Sequence, residues 1–173
     1  MKSLLPDMYK KNIYDINYEK LKGMGVKTLI FDFDNTLVEK GKVKDYEKFK
    51  EFFKKLKKDF NVYIISNTID KNKIEKFSKE CDVKYVMFAL KPLSRGFKKV
   101  KELDKMNPEE ICMIGDQLFT DVWGSKRLGY HSVYLTPIAK DEHLITKFNR
   151  LFERRVFNRV LKKNKKEKGR YYD

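Results

Sequence analysis

The stretch Thr28-Leu29-Ile30-Phe31-Asp32-Phe33-Asp34-Asn35-Thr36-Leu37 decides the fold. Thr28 to Asp34 is an apolar, β-rich run, the pattern of a strand covered on both faces. Such strands belong to parallel sheets, and two acids at the end of one are costly to bury unless they bind a cation or do chemistry. Working outward, helical and extended patterns alternate. Asp45–Lys58 places Tyr46, Phe49, Phe52, Phe53 and Leu56 at helical spacing. Val62–Ser66 reads as a second strand, Lys71–Glu80 as a helix and Lys84–Ala89 as a third strand. Ser94–Leu103 is helical, and Pro108 precedes a fourth strand at Ile111–Ile114. Phe119–Leu128 is a short helix ending at Gly129, and His131–Leu135 is a fifth strand. The alternation predicts an α/β, Rossmann-like parallel sheet with helices on both faces. Ligands then bind beyond the C-terminal ends of the strands.

Those ends carry the polar residues. After Asp32 and Asp34, the second strand ends in Ser66-Asn67, where a hydroxyl can meet an anionic oxygen. The third leads to Lys91-Pro92, and the fourth to Gly115-Asp116 followed by Asp121. Each of Ser66, Asn67 and Lys91 alone is an ordinary turn or surface residue. Their order along successive strands gives them weight.

In that order, Asp-x-Asp-x-Thr, Ser, Lys and Gly-Asp-x-x-x-x-Asp resemble the haloacid dehalogenase superfamily, in its phosphatase branch. The resemblance runs from about Thr28 to Thr136. More narrowly, Leu4-Leu5-Pro6-Asp7, the DFDNTL string, Lys91-Pro92 and GDQLFTD resemble the YqeG-like, phosphatidylglycerophosphatase-like family of subclass III. The resemblance implies roles that the chemistry supports. Asp32 is the nucleophile and Asp34 the general acid and base. Lys91 joins them as the catalytic cation. Thr36, Ser66, Asn67 and Lys91 bind substrate, Asn67 through its backbone amide, with Thr36 also orienting the first loop. Asp32, Asp34 (through its carbonyl), Asp116 and Asp121 hold Mg²⁺, an oxygen-seeking cation; Asp121 either holds metal-bound water or orients Lys91. Zinc is not expected, because His131 and His143 lack partners at ligand spacing. His131 opens a strand and His143 lies on the C-terminal helix.

No stretch between Val38 and Ile65 or between Asn67 and Leu90 is long enough for an inserted cap domain; only a short flap, Glu39–Lys44, fits. An open site admits a large substrate or one presented at a surface.

The 173 residues carry Lys+Arg 40 against Asp+Glu 25, a net charge of +15. That balance favours anionic partners. With 41% hydrophobic residues the chain can bury a core, and no apolar run reaches the length of a bilayer span. Cys81 and Cys112 are too few for a disulfide scaffold and are expected reduced. From Lys147 onward there are eleven bases and three acids, with Ile145, Phe148, Phe152, Val156 and Val160 at helical spacing. This composition suits a helix on an anionic membrane; the same stripe could pack on the chain's own domain, and Lys162–Arg170 reads as a frayed tail in either case. The reading divides the chain into an N-terminal docking segment of short helices (1–26), a catalytic domain (27–140) and a basic amphipathic end (141–173). No cleavable leader is evident, so the expected place is the cytoplasm, peripheral on the inner face of the cytoplasmic membrane. The expected substrate is a phosphorylated one, with the anionic headgroup of phosphatidylglycerophosphate foremost. Soluble phosphoesters, a nucleic-acid or protein substrate, an RNA-associated role and a non-catalytic scaffold are the alternatives. The oligomeric state is left open.

Overall fold

The computed structural model describes residues 4–39, 45–67, 70–87, 89–138, 144–167 and 170–173. The flap residues 40–44 and His143 lie outside them. Six parallel strands form one sheet in the order β1-β6-β5-β2-β3-β4. They are β1 (Met8–Lys10), β2 (Thr28–Asp32), β3 (Asn61–Ile65), β4 (Lys84–Val86), β5 (Ile111–Gly115) and β6 (His131–Leu135). The order reverses between β2 and β5, which pair Thr28 with Ile111 and Phe31 with Ile114. The crevice of a doubly wound sheet opens at such a reversal, beyond the strand ends. Here it falls at Asp32 and Asp116.

Alternate residues of each strand feed opposite layers. Leu29, Phe31, Ile64 and Ile114 pack under α1 (Tyr18–Gly23), α2 (Tyr46–Leu56) and α3 (Lys71–Cys81), through Leu21, Phe53 and Phe77. Ile30, Tyr63, Ile65 and Met113 face the other way, against Phe97 and Val100 of α4 (Ser94–Asp104). The helices begin where side chains can cap them: Asp45 accepts from the Lys48 amide at 3.0 Å, and Asp70 from the Lys73 amide at 3.1 Å. Cys81 and Cys112 are buried and unpaired as thiols.

Four details differ from the sequence reading. Within residues 1–26, Met8–Lys10 is a strand, paired with Val133–Leu135 of β6; short helices were expected there. Its apolar Met8 finds a full partner on the sheet edge, which three residues of isolated helix could not supply. The third strand stops at Val86 instead of reaching Ala89. The Ala89 amide donates to the Ser66 carbonyl at 3.1 Å, which draws the chain off the ladder toward the site. The helix expected from Phe119 is a wide π-helical turn, Leu118–Trp123, followed by a single α-turn, α5 (Gly124–Lys126). Lastly, the first strand ends at Asp32 and not at Asp34; on the far edge of the sheet, Tyr172 pairs antiparallel with Tyr9.

The C-terminal helix, α6 (Leu144–Lys163), docks on its own sheet. Phe157 and Leu161 pack on Leu118, Val122 and Tyr134, with Val156 partly buried beside them. Val160 is buried as expected, but Phe152 is 57% exposed and points away. The packing stripe is therefore turned by about one residue from the one read in the sequence; the side chains of Ile145 and Phe148 lie outside the described part. Among the described residues no helix is long and apolar enough to cross a membrane.

Candidate active site

Strand ends β2, β3 and β5, with the loop after β4, meet at one edge. Asp32 closes β2, Ser66 follows β3, Lys91 follows the segment leaving β4, and Asp116 follows β5. Asp32, Ser66, Lys91, Asp116 and Asp121 are all buried. Asp32, Asp116 and Asp121 each turn a carboxylate oxygen to within 4.8 Å of the others. Gly115 makes this possible: a Cβ there would collide with the carboxyl of Asp121. The glycine thus supplies space for an acid. Gln117 fixes that acid by donating its amide to Asp121 Oδ2 at 3.0 Å.

Lys91 reaches the cluster from the other side. Its Nζ donates to Asp32 Oδ1, and to Asp121 Oδ1 at 2.6 Å. The side chain of Asn67 grips the Lys91 backbone in both directions: Nδ2 donates to the carbonyl at 3.0 Å and Oδ1 accepts the amide at 2.8 Å. This positions Lys91 and is compatible with a role for the Asn67 backbone amide. The Thr36 hydroxyl donates to Asp116 Oδ1 at 2.9 Å, tying the first loop to the fourth. Asp34 stands apart from the cluster, partly exposed, and accepts from Lys73 Nζ at 3.0 Å. Its side chain is thus separate from the other acids.

Two residues at this edge had no signal in the sequence beyond being charged members of a basic helix. Arg150 of α6 donates to Asp116 Oδ2 through one nitrogen and to the Asp116 carbonyl at 2.5 Å through the other. Glu153, one turn on, is buried, accepts the Phe119 amide at 3.2 Å and lies 3.5 Å from Arg150. Lys73 was likewise unread.

Burial governs the electrostatics. It pushes the Asp32 carboxyl well above the usual range, against the pull of Lys91. It would lower Lys91, but Asp121 and Asp32 outweigh it and hold the ammonium above its ordinary range. Burial raises Asp116 to about 6 despite Arg150, and Glu153 to about 7 despite the Phe119 amide and Arg150. Asp32 Oδ2 is buried without a hydrogen-bond partner among the described residues. An all-oxygen donor set with an orphaned carboxylate oxygen fits a hard divalent cation such as Mg²⁺. A larger hollow of about 750 Å³, lined by Lys57, Asn61, Ser78 and Lys84, opens at the starts of β3 and β4, the opposite end of the sheet from this chemistry.

Acid, serine, lysine and acid on the ends of one parallel sheet define a phosphatase of the haloacid dehalogenase superfamily. Within it the chain belongs to the family described as mitochondrial PGP phosphatase, which matches residues 1–139. The Bacillus subtilis (strain 168) protein named "Probable phosphatase YqeG" is 37% identical over 163 residues, covering 94% of each chain. The chloroplastic/mitochondrial phosphatidylglycerophosphate phosphatase 1 of Arabidopsis thaliana is 25% identical across 94% of this chain. This chain spans about half the length of that plant protein, 50%. The crystal structure of an uncharacterized protein from Listeria monocytogenes serotype 4b shares the fold, with a TM-score of 0.51 at 19% identity over 69% of this chain and 85% of that one.

Proposed function

We propose that the protein is a Mg²⁺-dependent phosphomonoester hydrolase that removes the terminal phosphate of phosphatidylglycerophosphate at an anionic membrane surface, leaving phosphatidylglycerol. The observation that carries the hydrolase is the convergence of Asp32, Asp116 and Asp121 around the unpartnered Asp32 Oδ2.

Asp32 Oδ2 attacks phosphorus. As that bond forms, the bond to the leaving alkoxide breaks, and Asp34 gives the alkoxide its proton. Asp34, now ionised, takes a proton from the water that attacks phosphorus next; this frees Asp32 and releases inorganic phosphate. Lys91, Ser66 and the Asn67 amide hold the non-bridging oxygens, while Lys91 also keeps Asp32 in place. Asp32, the Asp34 carbonyl and Asp116, with Asp121 beside them, would hold Mg²⁺. When bound, the cation would offset the repulsion between an anionic nucleophile and a dianionic phosphate.

Three features support a lipid at a surface. The segments between the strands hold α2 and α3 and, among the described residues, no cap domain. Large apolar side chains stand exposed around the catalytic edge: Leu90 and Leu93 beside Lys91, Ile138 beside the first loop, and Leu151 and Phe152 on α6. Arg155 and Arg159 are exposed along the same helix, and apolar contact with basic flanks is how a protein lies on anionic lipid. The place of action is the inner face of the cytoplasmic membrane, held peripherally.

The test is phosphate release from phosphatidylglycerophosphate in mixed micelles with Mg²⁺. Asp32→Asn is the blank, and p-nitrophenyl phosphate and glycerol 3-phosphate the comparisons. Asp32-dependent release that strongly favours the lipid and stops on chelation is expected. Release from soluble esters alone would leave the hydrolase standing and remove the lipid.

A further inference from the structure

Beside the catalytic edge lies a hollow of about 330 Å³ that the roles above do not use. Tyr9, Tyr134 and Phe157 build its wall, with ring centroids 5.5, 5.3 and 4.8 Å apart in the pairs Tyr9–Tyr134, Tyr9–Phe157 and Tyr134–Phe157. Arg150 and Arg154 also line it, and no acid does. Two contacts join it to the reaction centre. Arg150 is shared between the hollow and Asp116. On the far rim, next to Pro137, the Ile138 amide donates to the Asn35 carbonyl at 3.0 Å, one residue from Asp34.

The two arginines differ. Arg150 is balanced by Asp116 and Glu153. Arg154 sits one turn further along α6 and is exposed. It makes no hydrogen bond or ion pair with any described residue. Like charges at this spacing repel on a helix surface, so the pair is matched to an anion that enters from outside. A guanidinium fork suits the paired oxygens of a phosphate, and aromatic rings suit the carbons that carry it.

We propose that this hollow is a subsite for a second phosphate of the substrate: a phosphodiester on the same glycerol whose phosphomonoester reacts at Asp32. Arg154 binds the diester, and the aromatic wall packs the glycerol. The proposal rests on the lipid reading above and says which part of that lipid the protein recognises apart from its acyl chains. It makes Arg154 a specificity residue, remote from the reacting atoms.

The experiment compares kcat/KM of the full chain and its Arg154→Ala and Arg154→Lys variants, with Mg²⁺, on three substrates. p-Nitrophenyl phosphate has the monoester alone. Glycerophosphoglycerol phosphate, the deacylated headgroup, adds the diester. Phosphatidylglycerophosphate in mixed micelles adds the chains. The expected result is that Arg154→Ala lowers kcat/KM for both diester-bearing substrates, relative to p-nitrophenyl phosphate, by roughly tenfold and through KM. Arg154→Lys should recover part of it. A relative loss confined to the micellar lipid makes Arg154 a membrane contact and overturns the subsite, as does no relative loss at all; both leave the lipid reading intact. A wild-type enzyme that fails to cleave phosphatidylglycerophosphate while cleaving p-nitrophenyl phosphate overturns the lipid reading, and the subsite with it.

Discussion

The acids of the catalytic edge and the arginine that meets them come from regions built in different ways. Asp32 closes β2 and Asp116 follows β5, paired central strands whose register leaves the two acids little choice of place, while Lys91 and Asp121 come from the segments that leave β4 and β5. Arg150 and Glu153 arrive on a helix at the end of the chain, held by Phe157 and Leu161 against Leu118 and Tyr134. The first set is placed by backbone pairing, the second by side-chain packing. An error of one residue in a strand would turn Asp32 to the other face. A similar turn of α6 would carry Arg150 off Asp116 while leaving the sheet whole. The chemistry thus rests on the rigid half, and the half that adjusts it is the half that packing can shift.

Asp32→Asn tests the rigid half and has the largest effect. Phosphate release should fall by at least about 10³-fold with little change in thermal stability, because the nucleophile is lost while its shape is kept. Residual activity near wild type would remove Asp32 from the chemistry. Phe157→Ala tests the packed half. Emptying that buried site should lower the unfolding free energy by about 3 kcal/mol in denaturant titration. Activity should fall as well, since α6 then holds Arg150 loosely; an unchanged rate would mean that α6 is a passenger.

Arg150→Ala separates position from packing. It leaves Asp116 buried with one partner fewer, a loss of about 2 kcal/mol. The rate should drop about 10- to 100-fold on every phosphoester, p-nitrophenyl phosphate included, with the helix still folded by circular dichroism. A loss seen only with phosphatidylglycerophosphate would confine Arg150 to substrate binding and break its link to Asp116.

The smallest effect concerns the edge on which α6 rests. Asp7 precedes β1, takes the Ser132 amide at 2.8 Å and Lys126 Nζ at 2.8 Å, and faces His131 at 3.6 Å. Burial would raise its carboxyl, but these partners overcome that and bring it to about 2 from an ordinary 3.8. A lowered carboxylate stabilises the fold above its unfolded value and loses that contribution as pH falls through the folded one. Asp7→Asn should therefore cost about 1 kcal/mol at pH 7, a modest figure because water screens the pair. Unfolding titrations should show the difference from wild type shrinking steadily below pH 4. A difference that grows in acid would contradict the pairing.

Much of the reaction centre was legible in the sequence because it is local. Apolar strands that end in Asp-x-Asp and in Gly-Asp put acids at one sheet edge, and that is where Asp32, Asp116 and Asp121 converge. Lys91 and Ser66 were readable only through their order along the strands. The lengths of the segments between the strands alone left no room for an inserted domain. Three things needed tertiary structure. The side chains of Thr36 and Asn67 bind Asp116 and the Lys91 backbone, contacts set by which loops the sheet brings side by side. The missing side chain of Gly115 makes room for an acid six residues on, which nothing local in the sequence announces. The C-terminal stripe gave a helix and its charge, but not its rotation. Periodicity fixes which residues share a face, whereas the face that is buried depends on the surface waiting for it. Here that surface is Leu118, Val122 and Tyr134, and it selects Phe157 and Leu161, which turns Arg150 inward to Asp116 and leaves Phe152 outside.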